Sequence, residues 1–245
     1  MADYSDINYS DITFNDRNPV KRLLQHDRIS HSLLDLQSVP INFQGQFLDY
    51  GAGNGELAKR LAVKFPESEI YCYEPSAVLR EQAGMHLTGE KIIRIVPDIS
   101  TIAADTFDFI FCLEVFEHLP PEQIQAALKE INRLAKPTGK IIIGVPNEIF
   151  LAALLKGLFR MTRRFGEVDA RPGNILRAFF GKPPGERPVV SFDHLPYIIR
   201  HMGFDHRRFG KLLNDSLVIT KTYGSPFPAL PLWMNFEVYF ICKPS

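Results

Sequence analysis

The chain has 245 residues, and its 28 lysine and arginine residues balance its 28 aspartate and glutamate residues, so the formal net charge is zero. Zero net charge argues against a nucleic-acid binder that depends on bulk electrostatic attraction, and we expect no nucleic-acid partner. The acidic N-terminal stretch MADYSDINYSD lacks the apolar core of a signal peptide, and no apolar run is long enough to span a membrane.

Predicted strands and helices alternate between about residues 46 and 146. The apolar run GQFLDYG predicts the first strand, and ELAKRLAVKF, with apolar side chains at helical spacing, predicts the helix after it. The alternation continues through EIYCYEP, SAVLREQAGMHL (with Ser76 as N-cap), KIIRIV, FDFIFCLEV, PEQIQAALKEINRLA and KIIIGVP. Continuous apolar strands between helices predict a doubly wound α/β core with a mostly parallel sheet.

Segments on both sides of this core complete a single predicted domain, residues 1–245. A helical cap is predicted in residues 1–40, before the core of residues 45–147. Residues 148–190 are predicted to form a lid-like insertion, with one amphipathic helix and the loop GKPPGERP. In residues 191–245, SFDHLPYIIRHMGF predicts another helix and NFEVYFICKP the last strand.

The three cysteines, Cys72, Cys112 and Cys242, lie far apart within apolar segments and form no C-x-x-C pair. This usage predicts reduced packing residues and a cytoplasmic location.

A glycine loop follows the first strand. Gly51, Gly53 and Gly55 give the spacing G-x-G-x-G, which is neither the G-x-G-x-x-G of a dinucleotide site nor a P-loop. Glu74 and Asp98 follow the next two strands, where carboxylates could accept ribose hydroxyls and an exocyclic amine. Taken singly, these features also fit a plain glycine turn, a solvated strand end and a turn or N-cap aspartate. Together they predict an adenosine-shaped site without a pyrophosphate binder.

Five segments stand in the order and spacing of a known family: LDYGAGNGELAKRLA, YCYEPS, VPDIS, FDFIFCLEVFEHLP and LKEINRLAKPTGKIIIGVPN. Over about residues 45–147 the chain resembles the class I S-adenosylmethionine-dependent methyltransferases. The LEVFEH segment resembles the branch that includes quinone-biosynthesis and natural-product O-methyltransferases. The resemblance implies an enzyme with a Rossmann-like, seven-stranded sheet whose last strand is antiparallel.

The same resemblance implies S-adenosyl-L-methionine as the cofactor and S-adenosyl-L-homocysteine as its product. The glycine loop would pass under the methionyl and ribose parts, and Asp49 would organise that loop. Glu74 with Pro75 would face the ribose, Asp98 with Ile99 the adenine, and Leu113 with Glu114 the methionyl side. The implied cofactor-binding residues are Asp49, Gly51, Gly53, Gly55, Glu74, Pro75, Asp98, Ile99, Leu113 and Glu114.

Methyl transfer from a sulfonium needs little from the protein beyond alignment of the acceptor and, for a hydroxyl, removal of a proton. The candidate bases are His118, just after the fourth strand, and His194, at the start of a later predicted helix. A helix-capping role for His118 and a solvent-facing position for His194 are the alternatives.

Glu114, Glu117 and His118 form the pattern E-x-x-E-H, which on a helix would share one face as a metal site requires. Some relatives bind a divalent cation with such residues. The sequence identifies no further ligand, so it predicts no metal site.

The insertion helix IFLAALLKGLFRMTRRF has two opposed arcs at 100° per residue. The basic arc contains Lys156, Arg160, Arg163 and Arg164, and the apolar arc contains Leu151, Leu154, Leu155, Leu158, Met161 and Phe165. Such a helix suits a membrane surface, a lipid-linked acceptor or a lid, with an ordinary core helix as the alternative.

In the N-terminal cap, Arg22 or Arg28 would meet an acidic group on cofactor or substrate, unless they lie on a solvated face.

The insertion is also rich in phenylalanine, which favours a hydrophobic acceptor. The sequence thus predicts O-methylation of a small or lipid- or glycan-linked acceptor, with peripheral membrane contact through residues 149–165. Two alternatives remain open: an NAD-dependent oxidoreductase, whose glycine pattern this loop lacks, and a non-catalytic cofactor-binding member of the fold. The sequence does not predict an oligomeric state.

Overall fold

The computed structural model describes residues 19–185 and 187–245, and side chains of the first helix from residue 26 onward. The first 18 residues of the predicted cap and the Arg22 side chain lie outside the described part. The helices are α1 Pro19–Ser32, α2 Glu56–Lys64, α3 Ala77–His86, α4 Pro121–Leu134, α5 Phe150–Arg164, α6 Pro172–Phe179 and α7 His206–Asn214. Within the described ranges, no helix combines the length and the apolar character needed to cross a bilayer.

The strands are β1 Gln46–Tyr50, β2 Glu69–Tyr73, β3 Ile93–Val96, β4 Phe107–Leu113, β5 Ala135–Pro146, β6 Val189–Phe192, β7 Leu195–Ile198, β8 Leu217–Ser225 and β9 Glu237–Pro244. Seven of them form one sheet in the order β3-β2-β1-β4-β5-β9-β8. Strands β1 to β5 pair in parallel, and β9 runs antiparallel to both of its neighbours. The mostly parallel seven-stranded sheet predicted from the sequence is therefore confirmed.

Helices cover both faces of this sheet, which is why its central strands are apolar throughout. On one face, α4 and α7 pack over the sheet, with Leu128 and Phe209 among the buried side chains. On the other face lie α1, α2 and α3. The three cysteines are buried and unpaired, as predicted.

The predicted helix over SFDHLPYIIRHMGF is wrong, because β6 and β7 form an antiparallel hairpin there. Asp193 and His194 occupy its tip with φ of +48° and +64°, which are the left-handed values of a two-residue hairpin turn. Pro196 lies within the hairpin, and proline has no place inside a helix. His194 therefore lies at an exposed hairpin tip and does not begin a helix.

The insertion also contains a second helix, α6, that the sequence analysis did not predict. Helices α5 and α6 pack closely where a Cβ on Gly157 would lie 2.6 Å from Cγ1 of Ile175. Residues 191–245 were expected to contain the last strands of the sheet, but no segment was assigned to β8, which forms an edge of the main sheet.

Much of the basic arc of α5 faces the protein. Arg160 makes two hydrogen bonds to the fully buried carboxylate of Glu148, at 2.8 and 3.0 Å, and Lys156 makes a third at 3.1 Å. Arg164 binds the buried carboxylate of Asp169 at 2.6 Å. On the opposite side Leu158 is 50% exposed and Phe165 is 72% exposed. An amphipathic helix usually turns its apolar face toward the protein and its charged face toward solvent. Helix α5 has the reverse orientation, because its basic residues pair with buried acids.

Candidate active site

The glycine loop lies between β1 and α2, at the carboxyl edge of the sheet. Gly51, Gly53 and Gly55 have φ of +76°, +56° and +80°, where other residues are strained. A Cβ on Gly51 would lie 2.4 Å from Cγ2 of Val115, so no larger residue fits there without rearrangement. The loop backbone thus packs closely against Val115, which follows the end of β4.

Glu74 fixes this loop. Its buried carboxylate accepts hydrogen bonds from the backbone N–H of Gly53 at 2.8 Å and of Ser76 at 2.9 Å, one on each oxygen. Burial raises the pKa of Glu74 to about 7, although these two hydrogen bonds and Arg80 oppose the shift. Each carboxylate oxygen keeps further lone-pair capacity for a ligand hydroxyl.

Beside the loop lies a small cavity of about 70 Å³. Asp49 lines it from the end of β1, almost fully buried, and its Oδ2 has no hydrogen-bond partner among the described residues. Burial raises the pKa of Asp49 to about 7, and the charge of Glu74 adds to the shift. The remaining lining residues are Arg28, Ile29, Gly51, Ala52, Gly53, Asn54, Glu56, Leu57, Leu113 and Glu114.

An ion pair closes one side of the cavity. Arg28 of α1 lies 2.7 Å from Oε2 of Glu114, and both side chains are nearly buried. Glu114 follows β4 with a φ of +55°, and its N–H donates to the carbonyl of Gly144 on β5. Burial disfavours a charge on Glu114, but Arg28 outweighs it and holds its pKa below the ordinary range. Arg28, one of the two arginines singled out in the sequence, thus meets an acid of the protein itself.

The two residues expected to contact the adenine follow β3, and they differ in solvent exposure. Asp98 is exposed and caps a short 3-10 turn, accepting the Ser100 N–H at 2.9 Å. Ile99 is packed into the core. Pro75 is exposed beside Glu74. The parallel register of β2 and β3 brings Asp98 to the same edge of the sheet as Glu74.

His118 meets a histidine that the sequence analysis did not single out. Its Nδ1–H donates to the Ile198 carbonyl at 2.7 Å, and its ring stacks on Tyr197 with centroids 4.4 Å apart. Its Nε2 lies 3.2 Å from Nε2 of His201 and 3.7 Å from a carboxylate oxygen of Glu117. Burial lowers the pKa of His118, and burial together with His118 lowers that of His201 to about 3.

The β6–β7 hairpin links this cluster to the segment that follows Glu74. Asp193 at its tip accepts hydrogen bonds from the Ser76 hydroxyl at 2.8 Å and the Val78 N–H at 3.3 Å. The Ile198 N–H at its other end donates to the carbonyl of His118. Asp193 and His201 are not among the predicted site residues, because the helix expected over this segment hides the turn that positions them. A proline after an Asp-His pair was the available sign of a turn.

Part of this chain is similar to known proteins in sequence. Residues 48–143 match the family model described as a methyltransferase domain. Over 97 residues, the chain is 31% identical to a protein from Geobacillus kaustophilus named an uncharacterised methyltransferase. That match covers 39% of this chain and 44% of the relative, so the chain aligns with less than half of the length of that relative.

Solved structures are similar over more of the chain. A protein from Pyrococcus horikoshii has a TM-score of 0.62 at 15% identity, covering 97% of this chain and 96% of its own. A Burkholderia thailandensis 1,6-didemethyltoxoflavin-N1-methyltransferase, solved with 1,6-didemethyltoxoflavin and S-adenosylhomocysteine, has a TM-score of 0.54 at 12% identity. It covers 89% of this chain and 76% of its own. At these identities the likeness supports the fold alone.

Proposed function

We propose that this protein is a class I S-adenosylmethionine-dependent methyltransferase that transfers a methyl group to a hydroxyl of an apolar acceptor; the match of residues 48–143 to a methyltransferase-domain model supports this. The observation that carries the proposal is the glycine loop tied to Glu74 beside a cavity with two buried acids. The acceptor oxygen would attack the methyl carbon as the carbon–sulfur bond breaks, giving S-adenosylhomocysteine and a proton.

The residues around the cavity suit the cofactor in charge and in hydrogen-bonding capacity. The open glycine backbone accepts a ligand at van der Waals distance, and the spare lone pairs of Glu74 suit ribose hydroxyls. The charged methionyl end would lie near Arg28, Asp49 and Glu114, where an ammonium and a carboxylate each find an opposite charge. The cavity of about 70 Å³ is smaller than the ~300–1,000 Å³ typical of ligand sites, so binding requires α1, which lines it with Arg28 and Ile29, to shift outward.

The exposed surface of the insertion supports an apolar, lipid-like acceptor. Leu155, Leu158 and Phe159 are about half exposed and share one face of α5, and Leu176 of the adjacent α6 and Phe180 directly after it are also exposed. The basic side chain of Arg163 covers Phe159. Apolar side chains beside a cation are typical of a surface that contacts an anionic lipid interface, so the contact proposed for residues 149–165 would use the apolar side chains. The buried unpaired cysteines support a cytoplasmic location.

An assay of methyl transfer tests this function. The purified protein is incubated with S-adenosylmethionine and pairs of phenols that differ only in chain length, and released S-adenosylhomocysteine is measured. We expect release that requires the hydroxyl and increases with chain length. Release only with short water-soluble amines would contradict both O-methylation and the apolar acceptor.

A thermal-shift comparison separates the two alternatives. Stabilisation by NAD without stabilisation by S-adenosylhomocysteine would favour the oxidoreductase. Stabilisation by S-adenosylhomocysteine with no turnover on any acceptor pair would favour a non-catalytic cofactor-binding protein.

A further inference from the structure

We infer that the loop between β8 and β9 is a second lipid-contacting element, which together with α5 and α6 seats the carboxyl edge of the sheet on an anionic lipid surface. Residues 226–234 read PFPALPLWM, a run in which every residue is apolar or proline. Phe227, Leu230 and Trp233 are each about half exposed. Such a group of exposed apolar side chains on one loop marks an interaction surface. The lipid contact of α5 belongs to the proposed function, whereas this loop is a separate segment of the chain.

Two fully buried asparagines hold the loop in its conformation. The Asn235 side chain accepts a hydrogen bond from the Phe227 N–H at 2.7 Å, and it donates to the carbonyls of Phe227 and Pro231, both at 3.1 Å. Asn147 donates to the carbonyls of Leu232 at 3.0 Å and Asn235 at 2.8 Å. Because the backbone is fixed in this way, the exposed apolar side chains do not depend on a flexible loop for their position.

The backbone of the loop is suited to a surface from which water is excluded. The loop contains three prolines, which have no N–H to satisfy. The N–H groups of Leu230 and Met234 donate to carbonyls within the loop. Because polar groups that lose water without gaining a partner cost free energy, this pairing lowers the cost of contact with lipid.

The loop meets the apolar surface of the insertion. Helix α5 packs against the 3-10 turn Leu232–Met234 at the end of the loop. Lys156 of α5 donates to the carbonyl of Phe236 at 3.0 Å. Two exposed apolar segments that are distant in the sequence are thus neighbours in the fold. Tryptophan, with an apolar ring and a polar N–H, is typical of the depth of lipid headgroups.

The charges of the insertion favour an anionic partner. Residues 150–185 contain seven lysine or arginine residues and two acids, Glu167 and Asp169. Both acids pair with arginines. Four basic residues of this segment are exposed: Arg163, Arg171, Arg177 and Lys182. Exposed cations of this kind strengthen binding to anionic headgroups.

A second copy of this chain fits the same surface less well. Symmetric dimers bring the same patch of both copies together. The exposed cations of both copies would then share one interface, and like charges oppose association. An anionic lipid surface instead supplies the opposite charge.

The loop lies at the same edge of the sheet as the proposed cofactor site. Strand β8 ends at Ser225 and β9 begins at Glu237, which pairs with Pro146 at the carboxyl end of β5. Strand β1, which leads into the glycine loop, is three strands away from β9, or about 14 Å at ~4.8 Å per strand. An acceptor held in the lipid surface would thus lie near the methyl donor. This consequence rests on the proposed function, whereas the lipid contact does not.

Trp233 allows a direct test, because it is the only tryptophan in the chain. The full chain is mixed with vesicles of phosphatidylglycerol and phosphatidylcholine that carry brominated acyl chains, and tryptophan emission is recorded. We expect a blue shift and quenching by the brominated chains. Both should weaken at ~1 M salt, where the Debye length is only about 3 Å.

The double variant Phe227→Ser, Leu230→Ser keeps this fluorescent probe. We expect it to bind the vesicles at least tenfold more weakly than the wild type. Val218→Thr, at a 50% exposed position near the opposite end of β8, is the matched control and should bind as the wild type does. S-adenosylhomocysteine affinity, measured by calorimetry, should be the same for both variants, since the described lining of the cofactor cavity contains none of these positions.

Unchanged Trp233 emission with the folded wild type would overturn the inference, even if the protein sediments with the vesicles through α5. A lipid-free dimer in analytical ultracentrifugation that is lost in the double variant would assign the surface to a second copy instead. If the double variant does not fold, quenching in the wild type decides. Absence of S-adenosylhomocysteine binding by the wild type counts against the proposed function alone, because the lipid measurements do not use the cofactor.

Discussion

At the scale of single residues, Glu74 ties the conformation of the glycine loop to the proposed ribose contact. Replacing it with glutamine removes the charge from its hydrogen bonds to the Gly53 and Ser76 N–H groups. We expect Glu74→Gln to weaken S-adenosylhomocysteine binding by about 1.5–3 kcal/mol, which calorimetry measures. Glu69→Gln, at the opposite end of the same strand, is the matched control and should leave the affinity unchanged. Equal affinities for both variants would remove Glu74 from the site.

Asp49 makes the stability of the ligand-free protein depend on pH. Burial raises its folded-state pKa to about 7 from an ordinary value of 3.8, so the folded state holds a proton that the unfolded state releases. Its contribution is therefore most favourable below about pH 4 and is lost as the pH rises to about 7.

We expect Asp49→Asn to remove this loss, because the amide stays neutral. Relative to wild type, the variant should gain melting temperature progressively from pH 4 to pH 7, with a constant gain above that range. Thermal melts at pH 5 and pH 8 measure the difference. A variant that is equally destabilised at both pH values would show that Asp49 is ionised and satisfied in the folded state.

At the scale of elements, the inverted helix α5 depends on buried charge pairs. Arg160 binds both oxygens of Glu148, whose pKa is held low by Arg160 and Lys156 despite its burial. Removing one partner of a buried pair leaves an uncompensated charge and costs about 3–5 kcal/mol.

We therefore expect Arg160→Ala to lower the free energy of unfolding by about that amount, measured in urea. Arg163→Ala is the matched control on the same helix. Arg163 is exposed and touches Phe159, so its loss should change stability by no more than about 0.5–1 kcal/mol. If Arg160→Ala changes stability as little as Arg163→Ala does, the basic arc is a solvated surface.

The elements of the α/β core could be predicted from the sequence, whereas those of the insertion could not. Buried parallel strands are continuous apolar runs, and Ser76 marks the start of α3 by accepting the Leu79 N–H. In α5, helical periodicity separated the two arcs but could not show which one faces the core. The buried partners of the basic residues, Glu148 and Asp169, lie outside the helix in the sequence.

Some residues of the candidate site could likewise be predicted from the sequence, and others could not. The family resemblance implied cofactor-binding roles for Asp49, the glycine loop and Glu114, and the structure brings them together around one cavity, because the ends of parallel strands meet at one edge of a sheet. His201 could not be predicted, because its position depends on a hairpin whose turn needs φ above zero at Asp193 and His194. Residues with such values are rarely anticipated unless glycine or asparagine occupies the turn.

At the scale of the whole molecule, the exposed apolar side chains of α5 and α6 predict reversible binding to anionic vesicles. We expect the protein to sediment with vesicles of phosphatidylglycerol and phosphatidylcholine, and the double variant Phe159→Ser, Phe165→Ser to bind at least tenfold more weakly. Val63→Ser, at a 76% exposed position on α2, is the matched control. If the wild type does not bind the vesicles at low salt, this apolar surface does not contact lipid.

The most direct test of the central claim is a crystal structure of the protein with S-adenosylhomocysteine. We predict ribose hydroxyls within hydrogen-bonding distance of the Glu74 carboxylate, and the homocysteine part between the glycine loop and the Arg28–Glu114 pair, with α1 displaced outward. Ligand density away from the glycine loop, or an empty loop at saturating ligand, would contradict the account.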